Sequence, residues 1–531
     1  MIRDDLSPRP GPPPLERRRR RSRWAGAAIA ATSVLALAGS ACTDDSGATA
    51  SPSAPGGATT TGIGWEPCGV RLECATVAVP IDWGDPDGET LDLALIKHPA
   101  SDPARRIGTI LTDPGGPGDT GVGFVEGAGD ELDAWGDGRF DWIGWDPRGT
   151  YASSPVDCFG SEEDAARFWA GAQIPETVEQ SEAFAARATE LARRCGEEMG
   201  PLLSHISTTD TVRDMDRIRE LLGEEEITYV GFSYGTVIGQ VYANLFPDRL
   251  RAMMLDGIVD PVAYTTDAET RAINFAVGSQ GVFEQFLARC EDAGADRCAL
   301  AGHGETAAQR VEGLFARAME APLPVPGAAP GTVVTHTDLQ LAAFAPLRDP
   351  TLWPAYAEDL EAAVTGDPSA LSEAAAAAKA PQAWAEATKS AAISCLDGPA
   401  SEPVSAWPTV IGDLTGLSPI TGAVGGWWLW APCAAGWPAS SVDRYTGPWN
   451  TETEVPILLI GTRHDPNTAY QNAVRSQHRL GNAVLLTHDG YGHLSFKDRS
   501  QCVEDARVRY LVDLETPAPG TVCQADQVPF E

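Results

Sequence analysis

The chain has 531 residues and a formal net charge of −35, with 74 acidic against 39 basic side chains. That imbalance excludes a nucleic-acid partner, because phosphate binding needs clustered Lys and Arg. The length admits about three ordinary domains, or one enlarged α/β domain with an insertion, and is ample for a large core.

Arg17 to Arg21 and Arg23 precede an apolar, Ala-rich run from Ala25 to Ala38 that closes on small residues. A basic start, an apolar stretch too short to span a bilayer and a small-residue end predict an export signal over residues 1–42. The end Leu37-Ala-Gly-Ser-Ala-Cys42 resembles a bacterial lipobox, with Gly39 where that motif usually has Leu. Simple cleavage and lipidation at Cys42 both stay open, and a lipid there would be the one expected membrane contact. Residues 43–63 are Ser, Thr, Ala, Pro and Gly with little else, the composition of a flexible tether. Beyond Cys42 lie ten cysteines, an even number suited to disulfides in an oxidising compartment. Pairing by proximity would join 68 with 74, 158 with 195, 290 with 298, 395 with 433 and 502 with 523, although sequence alone leaves the connectivity open. No C-x-x-C occurs and the eight His show no ligand spacing, so neither a metal nor any other cofactor is expected.

From Trp65 onward, short apolar, β-rich runs alternate with helical patterns: Gly108 to Leu111, Phe140 to Trp145, Ile227 to Val230, Met253 to Leu255, Val455 to Ile460 and Ala483 to Leu486. Alternation of this kind predicts a mostly parallel sheet flanked by helices. Asp113-Pro-Gly-Gly-Pro-Gly118, at the end of the first of these runs, is a loop whose amides are unobstructed by side chains. The Gly116 amide is the expected half of an oxyanion hole, with a plain Pro/Gly turn as the alternative. Arg148 reads as loop support, with substrate contact as its other reading. Between about Thr211 and Leu222, Val212, Met215, Ile218 and Leu222 share one helical face ahead of Gly223, which predicts a helix packed on the sheet.

The run Ile227 to Val230 leads directly into Gly231-Phe-Ser-Tyr-Gly235 and then a helical pattern from about Thr236 to Phe246, stopped by Pro247. Small residues on both sides of Ser233 allow a sharp strand-to-helix corner that presents its hydroxyl, so Ser233 is the candidate nucleophile and the Tyr234 amide the second oxyanion donor. Asp256 and Asp260 follow the next strand and are rivals for the triad acid. Residues 266–415 change character to Ala-rich helical stretches broken by Pro and Gly, such as 305–321 and 369–380. We expect a helical lid there, inserted between two halves of the sheet domain at 64–265 and 416–531; a separate helical domain is the alternative. Trp427, Trp428 and Trp430 could line an acyl pocket or pack as core. Asp465 stands just past the strand Val455 to Ile460, the expected place for an acid at a strand's carboxyl end. His493, in Asp489-Gly-Tyr-Gly-His493, follows the next strand and is the expected base, with His488 as its rival. The order Ser, Asp, His is the order of α/β-hydrolases.

Pro114-Gly-Gly-Pro-Gly118, Trp145-Asp-Pro-Arg-Gly-Thr150, Gly231-Phe-Ser-Tyr-Gly-Thr236, Leu255-Asp-Gly-Ile-Val-Asp-Pro261, Ile393-Ser-Cys-Leu-Asp-Gly398, Cys433-Ala-Ala-Gly-Trp-Pro438 and Gly492-His493 occur in that order. Together they resemble the tripeptidyl-aminopeptidase-like serine hydrolases, relatives of proline iminopeptidase, with similarity from about Trp65 to Cys502. The resemblance implies an α/β-hydrolase fold with a helical lid, a Ser233, Asp465, His493 triad, and release of short peptides or single residues from peptides with a free N-terminus. An esterase or lipase with the same triad, and a non-catalytic binding lipoprotein, are the competing expectations. The chain departs from the family where Asp113 replaces the usual Asn and Asp119-Thr120 the usual Ser. Tyr151 replaces a usual Gly, and Asn467-Thr-Ala replaces the common Thr-Pro after the acid.

Overall fold

The computed structural model describes residues 62–171, 174–438, 441 and 443–531; of these, the side chains at 381, 382 and 428 fall outside the description. The export signal, Cys42 and almost all of the tether lie outside the described residues.

Ten strands form one sheet: β1 (Glu66–Gly69), β2 (Leu72–Pro80), β3 (Thr90–His98), β4 (Gly108–Asp113), β5 (Phe140–Trp145), β6 (Ile227–Phe232), β7 (Leu250–Asp256), β8 (Ile457–His464), β9 (Ala483–Tyr491) and β10 (Val522–Gln524). Their order across the sheet is β1-β2-β3-β5-β4-β6-β7-β8-β9-β10. From β5 to β10 every neighbour is parallel. The first three strands are an antiparallel addition at one edge. Leu72-Glu-Cys-Ala-Thr-Val-Ala-Val-Pro80 alternates between exposed and buried near its end, as expected of a strand with one face in water. β4 and β6, by contrast, are buried at every position.

The buried strands feed two cores. Leu111, Ile143, Tyr229 and Leu255 pack on one face, and Ile110, Trp142, Val230 and Met254 on the other. Neighbouring residues therefore serve opposite faces, which is the period of two that a β-strand imposes. Helix α1 (Gly121–Trp135) follows β4, α2 (Thr208–Leu222) precedes β6, and α3 (Gly235–Leu245) follows it. Ser207 caps α2 by accepting from the Asp210 amide, and Gly223 ends it in the left-handed conformation. Val212, Met215 and Ile218 are fully buried, and Leu222 is half-buried.

After β4 the chain moves one way across the sheet to β5, and later reaches β6 on the other side. The carboxyl ends of β4 and β6 therefore flank a topological switch point, where open α/β sheets form their crevices. Between β7 and β8 comes a long, mainly helical insertion. Its members include α4 (Ala268–Ala293), α5 (Phe344–Arg348) and α6 (Pro381–Asp397). α4 joins two cores: Ala268, Ala272 and Ala276 belong to the sheet core, while Val282, Phe283 and Phe286 belong to a separate cluster with Trp353 and Tyr356. The ten cysteines close five disulfides between sequence neighbours, 68–74, 158–195, 290–298, 395–433 and 502–523. Disulfides in this number mark an oxidising, extracytoplasmic compartment. Among the described residues, no helix is long and apolar enough to cross a membrane.

Candidate active site

Ser233 stands at the corner between β6 and α3 with φ of 51°, and its amide donates to the Asp256 carbonyl at 3.0 Å. A non-glycine residue in this conformation is strained and persists only when its surroundings dictate it. They do so here through close backbone approach. A side chain at Gly231 would meet the Gly235 carbonyl at 2.5 Å, and one at Gly235 would meet the Asp113 carbonyl at 2.5 Å. The two motif glycines are thus required by packing of the corner against itself and against the end of β4. Because α3 begins immediately afterwards, its positive end faces the same space.

The loop after β4 lies directly against this corner, since a Cβ on Gly115 would come within 2.8 Å of the Tyr234 amide nitrogen. Gly116 and Tyr234 both line the crevice beside Ser233. Among the described residues, neither of their amides donates in the backbone hydrogen bonds of the surrounding turns. Asp113, which opens the loop, is turned away from that space. It is fully buried and its Oδ1 accepts the Gly115 amide at 2.9 Å. Burial pushes its carboxyl well above the ordinary range, against the Gly115 hydrogen bond, and its Oδ2 has no protein partner.

Asp465 is the first residue beyond β8 and is buried. Its oxygens accept from the Asn467 and Thr468 amides and the Thr468 hydroxyl, each at 2.8 Å. His493 Nδ1 lies 3.0 Å from both oxygens. Burial pushes Asp465 upward, but the charge and hydrogen bond of His493 and the bonds from Thr468 outweigh it and hold the carboxyl below its ordinary range. Asp465 therefore remains an acceptor that fixes the imidazole with its other nitrogen free for the crevice, which His493 lines together with Ser233.

The rivals are engaged elsewhere. Asp256 pairs with Arg507 at 2.8 Å, both side chains fully buried, and accepts the Ser495 hydroxyl at 2.6 Å. Asp260 caps the turn at Pro261 and is held by Arg475 and Arg479. His488 packs beneath Gly490, where burial lowers its pKa to about 4, and it is absent from the crevice lining. Arg148 is fully buried, bonded to Asp214 and to the carbonyls of Pro80, Ile81 and His205, a support for the loop. Trp427 packs in the core against Phe184, whereas Trp430 lines the crevice.

The crevice has a volume of about 390 Å³. Phe275, Phe344, Leu429 and Trp430 form its apolar wall, and Asp119, Glu386 and Arg348 line it together with Arg271 and the Arg-paired Asp260. Glu386 and Arg348 were not singled out from sequence; each sits in the helical insertion, and no motif points to either. The insertion also grips the loops that carry Asp465 and His493. The Arg348 carbonyl accepts the His493 amide at 2.9 Å, and the Ser279 hydroxyl of α4 donates to the Pro466 carbonyl at 3.1 Å.

Comparison with known proteins agrees with this architecture. Residues 109–297 match the model of the alpha/beta hydrolase fold, and residues 419–523 that of the TAP-like protein family. The chain is 31% identical over 492 residues to the tripeptidyl aminopeptidase of Streptomyces lividans, covering 88% of each chain. It is 30% identical to serine protease Hip1 of Mycobacterium tuberculosis over 87% of this chain and 91% of that one. Carboxylesterase B of the same organism is 29% identical over 85% of this chain and 86% of that one. At this identity across nearly the whole folded region, the chain belongs to the TAP-like family of α/β-hydrolase-fold serine hydrolases.

Proposed function

We propose that the protein is an exported serine peptidase that releases short peptides or single residues from peptides with an unblocked N-terminus. In this reading His493 takes the Ser233 proton as the hydroxyl attacks the scissile carbonyl, and Asp465 holds the imidazole and stabilises its charged form. The Gly116 and Tyr234 amides receive the tetrahedral oxyanion. His493 then returns the proton to the leaving amine, and water resolves the acyl-enzyme through the same base.

The observation that carries the reading is the bonded His493–Asp465 pair facing the same crevice as Ser233, with Asp119 and Glu386 among the carboxylates that line it, the third, Asp260, being paired with Arg475 and Arg479. A substrate ammonium needs such partners. Asp119 follows the oxyanion loop; desolvation raises its carboxyl, opposed by Arg348 and His493 and reinforced by Glu386. Glu386 is oriented by the Tyr151 hydroxyl at 3.2 Å and by Lys389 Nζ at 3.0 Å. Tyr151, which replaces a usual glycine, thus has a structural partner across the crevice mouth.

A second reading, an esterase, draws on the apolar wall and on the carboxylesterase relative. Turnover of matched peptide anilides with free and acetylated N-termini, alongside short-chain esters, separates the two. The peptidase reading expects a preference for the free amine of roughly tenfold or more, the worth of a charge-assisted hydrogen bond, and erosion of that preference in Asp119→Asn and Glu386→Gln. Equal turnover of both anilides, with esters preferred, would replace it by the esterase reading.

A further inference from the structure

We infer that Asp397 is a positioning residue for the oxyanion hole, holding Tyr234 in place through the hydroxyl of Thr208. The inference rests on the reading of the Tyr234 amide as an oxyanion donor. Asp397 ends α6 and is 2% exposed. Its Oδ1 accepts the Thr208 amide at 3.0 Å, at the first turn of α2, and its Oδ2 accepts the Thr208 hydroxyl at 2.6 Å. The same hydroxyl lies 2.5 Å from the Tyr234 phenol oxygen. Because the Thr208 proton is committed to Asp397, its oxygen must accept from Tyr234. The three groups thus form a directed chain from phenol to hydroxyl to carboxylate.

Tyr234 lines the crevice with its amide nitrogen beside Gly115, while its phenol joins this chain, so fixing the phenol restrains the orientation of the amide. Apolar packing alone would bury the ring without setting its angle, and a buried carboxylate contributes little net stability. What the polar chain adds is direction. Its anchor is itself secured: the 395–433 disulfide ties α6, and Arg271 of α4 donates to the Ser394 carbonyl at 2.9 Å and the Gly398 carbonyl at 2.6 Å. The oxyanion donor is thereby tied to the helical insertion from behind, as the acid and base loops are tied from above.

The groups facing Asp397 are Thr208, Tyr234, Tyr264 and Arg271. Burial pushes its carboxyl up to about 6, against the hydrogen bonds from Thr208 and the charge of Arg271. A protonated Asp397 no longer compels Thr208 to donate, so the chain loses its direction on the acid side of that value.

The test uses the full-length protein and a free-amine peptide anilide. Tyr234→Phe keeps the amide and removes the phenol, Thr208→Val removes the hydroxyl, Thr208→Ser retains it, and Asp397→Asn removes the charge. Tyr234→Phe, Thr208→Val and Asp397→Asn are each expected to lower kcat about tenfold to hundredfold, as displacement of a catalytic group does, with KM within about twofold. Thr208→Ser should stay near wild type. The Thr208→Val/Tyr234→Phe double variant should be no worse than its worse single, since both break one chain. Below neutral pH, kcat should fall with two protons in wild type and one in Asp397→Asn. Folded variants with kcat within about twofold of wild type, additive losses or an unaltered acid limb would overturn the assignment. Should Asp397→Asn fail to fold, the Tyr234 and Thr208 variants decide the question. Unimpaired turnover in Ser233→Ala would instead overturn the underlying peptidase reading, whatever Asp397 does.

Discussion

Asp113 places a carboxyl at the buried end of β4. Its carboxyl is fully buried with Oδ1 accepting the Gly115 amide, and burial pushes its pKa well above the ordinary carboxylate value. Its folded pKa lies above its unfolded one, so folding takes up a proton at pH values between the two. The associated stability is fully present at low pH and is lost as pH rises toward the raised value. Asparagine has the same shape and no titration. Denaturant unfolding of Asp113→Asn and wild type should therefore diverge with pH, the variant gaining relative stability as pH rises from the ordinary carboxylate range toward the raised value. A difference independent of pH would show that Asp113 is ionised in the fold. At the same scale, Thr468 was readable in retrospect. Three residues past a buried aspartate, a threonine can return both amide and hydroxyl to the carboxylate.

The helical insertion acts at the element scale as a clamp on the loops that carry Asp465 and His493. α4 presses so closely on the acid loop that a Cβ at Gly278 would meet the Pro466 carbonyl at 2.8 Å and the Asp465 carbonyl at 3.1 Å. α5 holds His493 by its last carbonyl. Gly278→Val is accordingly expected to cost about 1–3 kcal/mol through overpacking and to lower kcat/KM on the order of a hundredfold by shifting Asp465, checked by melting temperature and steady-state kinetics. Loss of stability with full activity would mean that the insertion and the acid loop move independently. This contact left no trace in the sequence, because it is made by backbone carbonyls and a glycine inside an Ala-rich helix. The elements that were legible were those with a strong local signature: the unbroken apolar runs of β4 to β9, the capped and periodic α2, and the strand-corner-helix around Ser233. The antiparallel β1 to β3 were missed, since a half-exposed strand such as Leu72–Pro80 breaks the continuous apolar pattern used to find the others.

Across the whole molecule, five disulfides brace the fold, and their loops differ greatly in length. The 395–433 bridge closes a separation of 38 residues and ties α6 to the crevice, whereas 68–74 closes only 6. If chain entropy dominates, removing the longer bridge should destabilise the protein by roughly 1.5 kcal/mol more than removing the shorter one. Paired Cys→Ser variants compared by denaturant unfolding measure this, and equal losses would assign the effect to local strain instead. The architecture follows from chain order. Ser233, Asp465 and His493 each follow the carboxyl end of a parallel strand, which is why they could be nominated individually from motif and strand context. The crevice rim could not, because Asp119, Glu386 and Arg348 meet only through the placement of the insertion. The most direct test of the account is mass spectrometry of the protein after reaction with a fluorophosphonate. It predicts one adduct, on Ser233, absent in Ser233→Ala and formed about 10³-fold or more slowly in His493→Ala. A folded wild-type protein that stays unlabelled, or carries the adduct on another side chain, would contradict it.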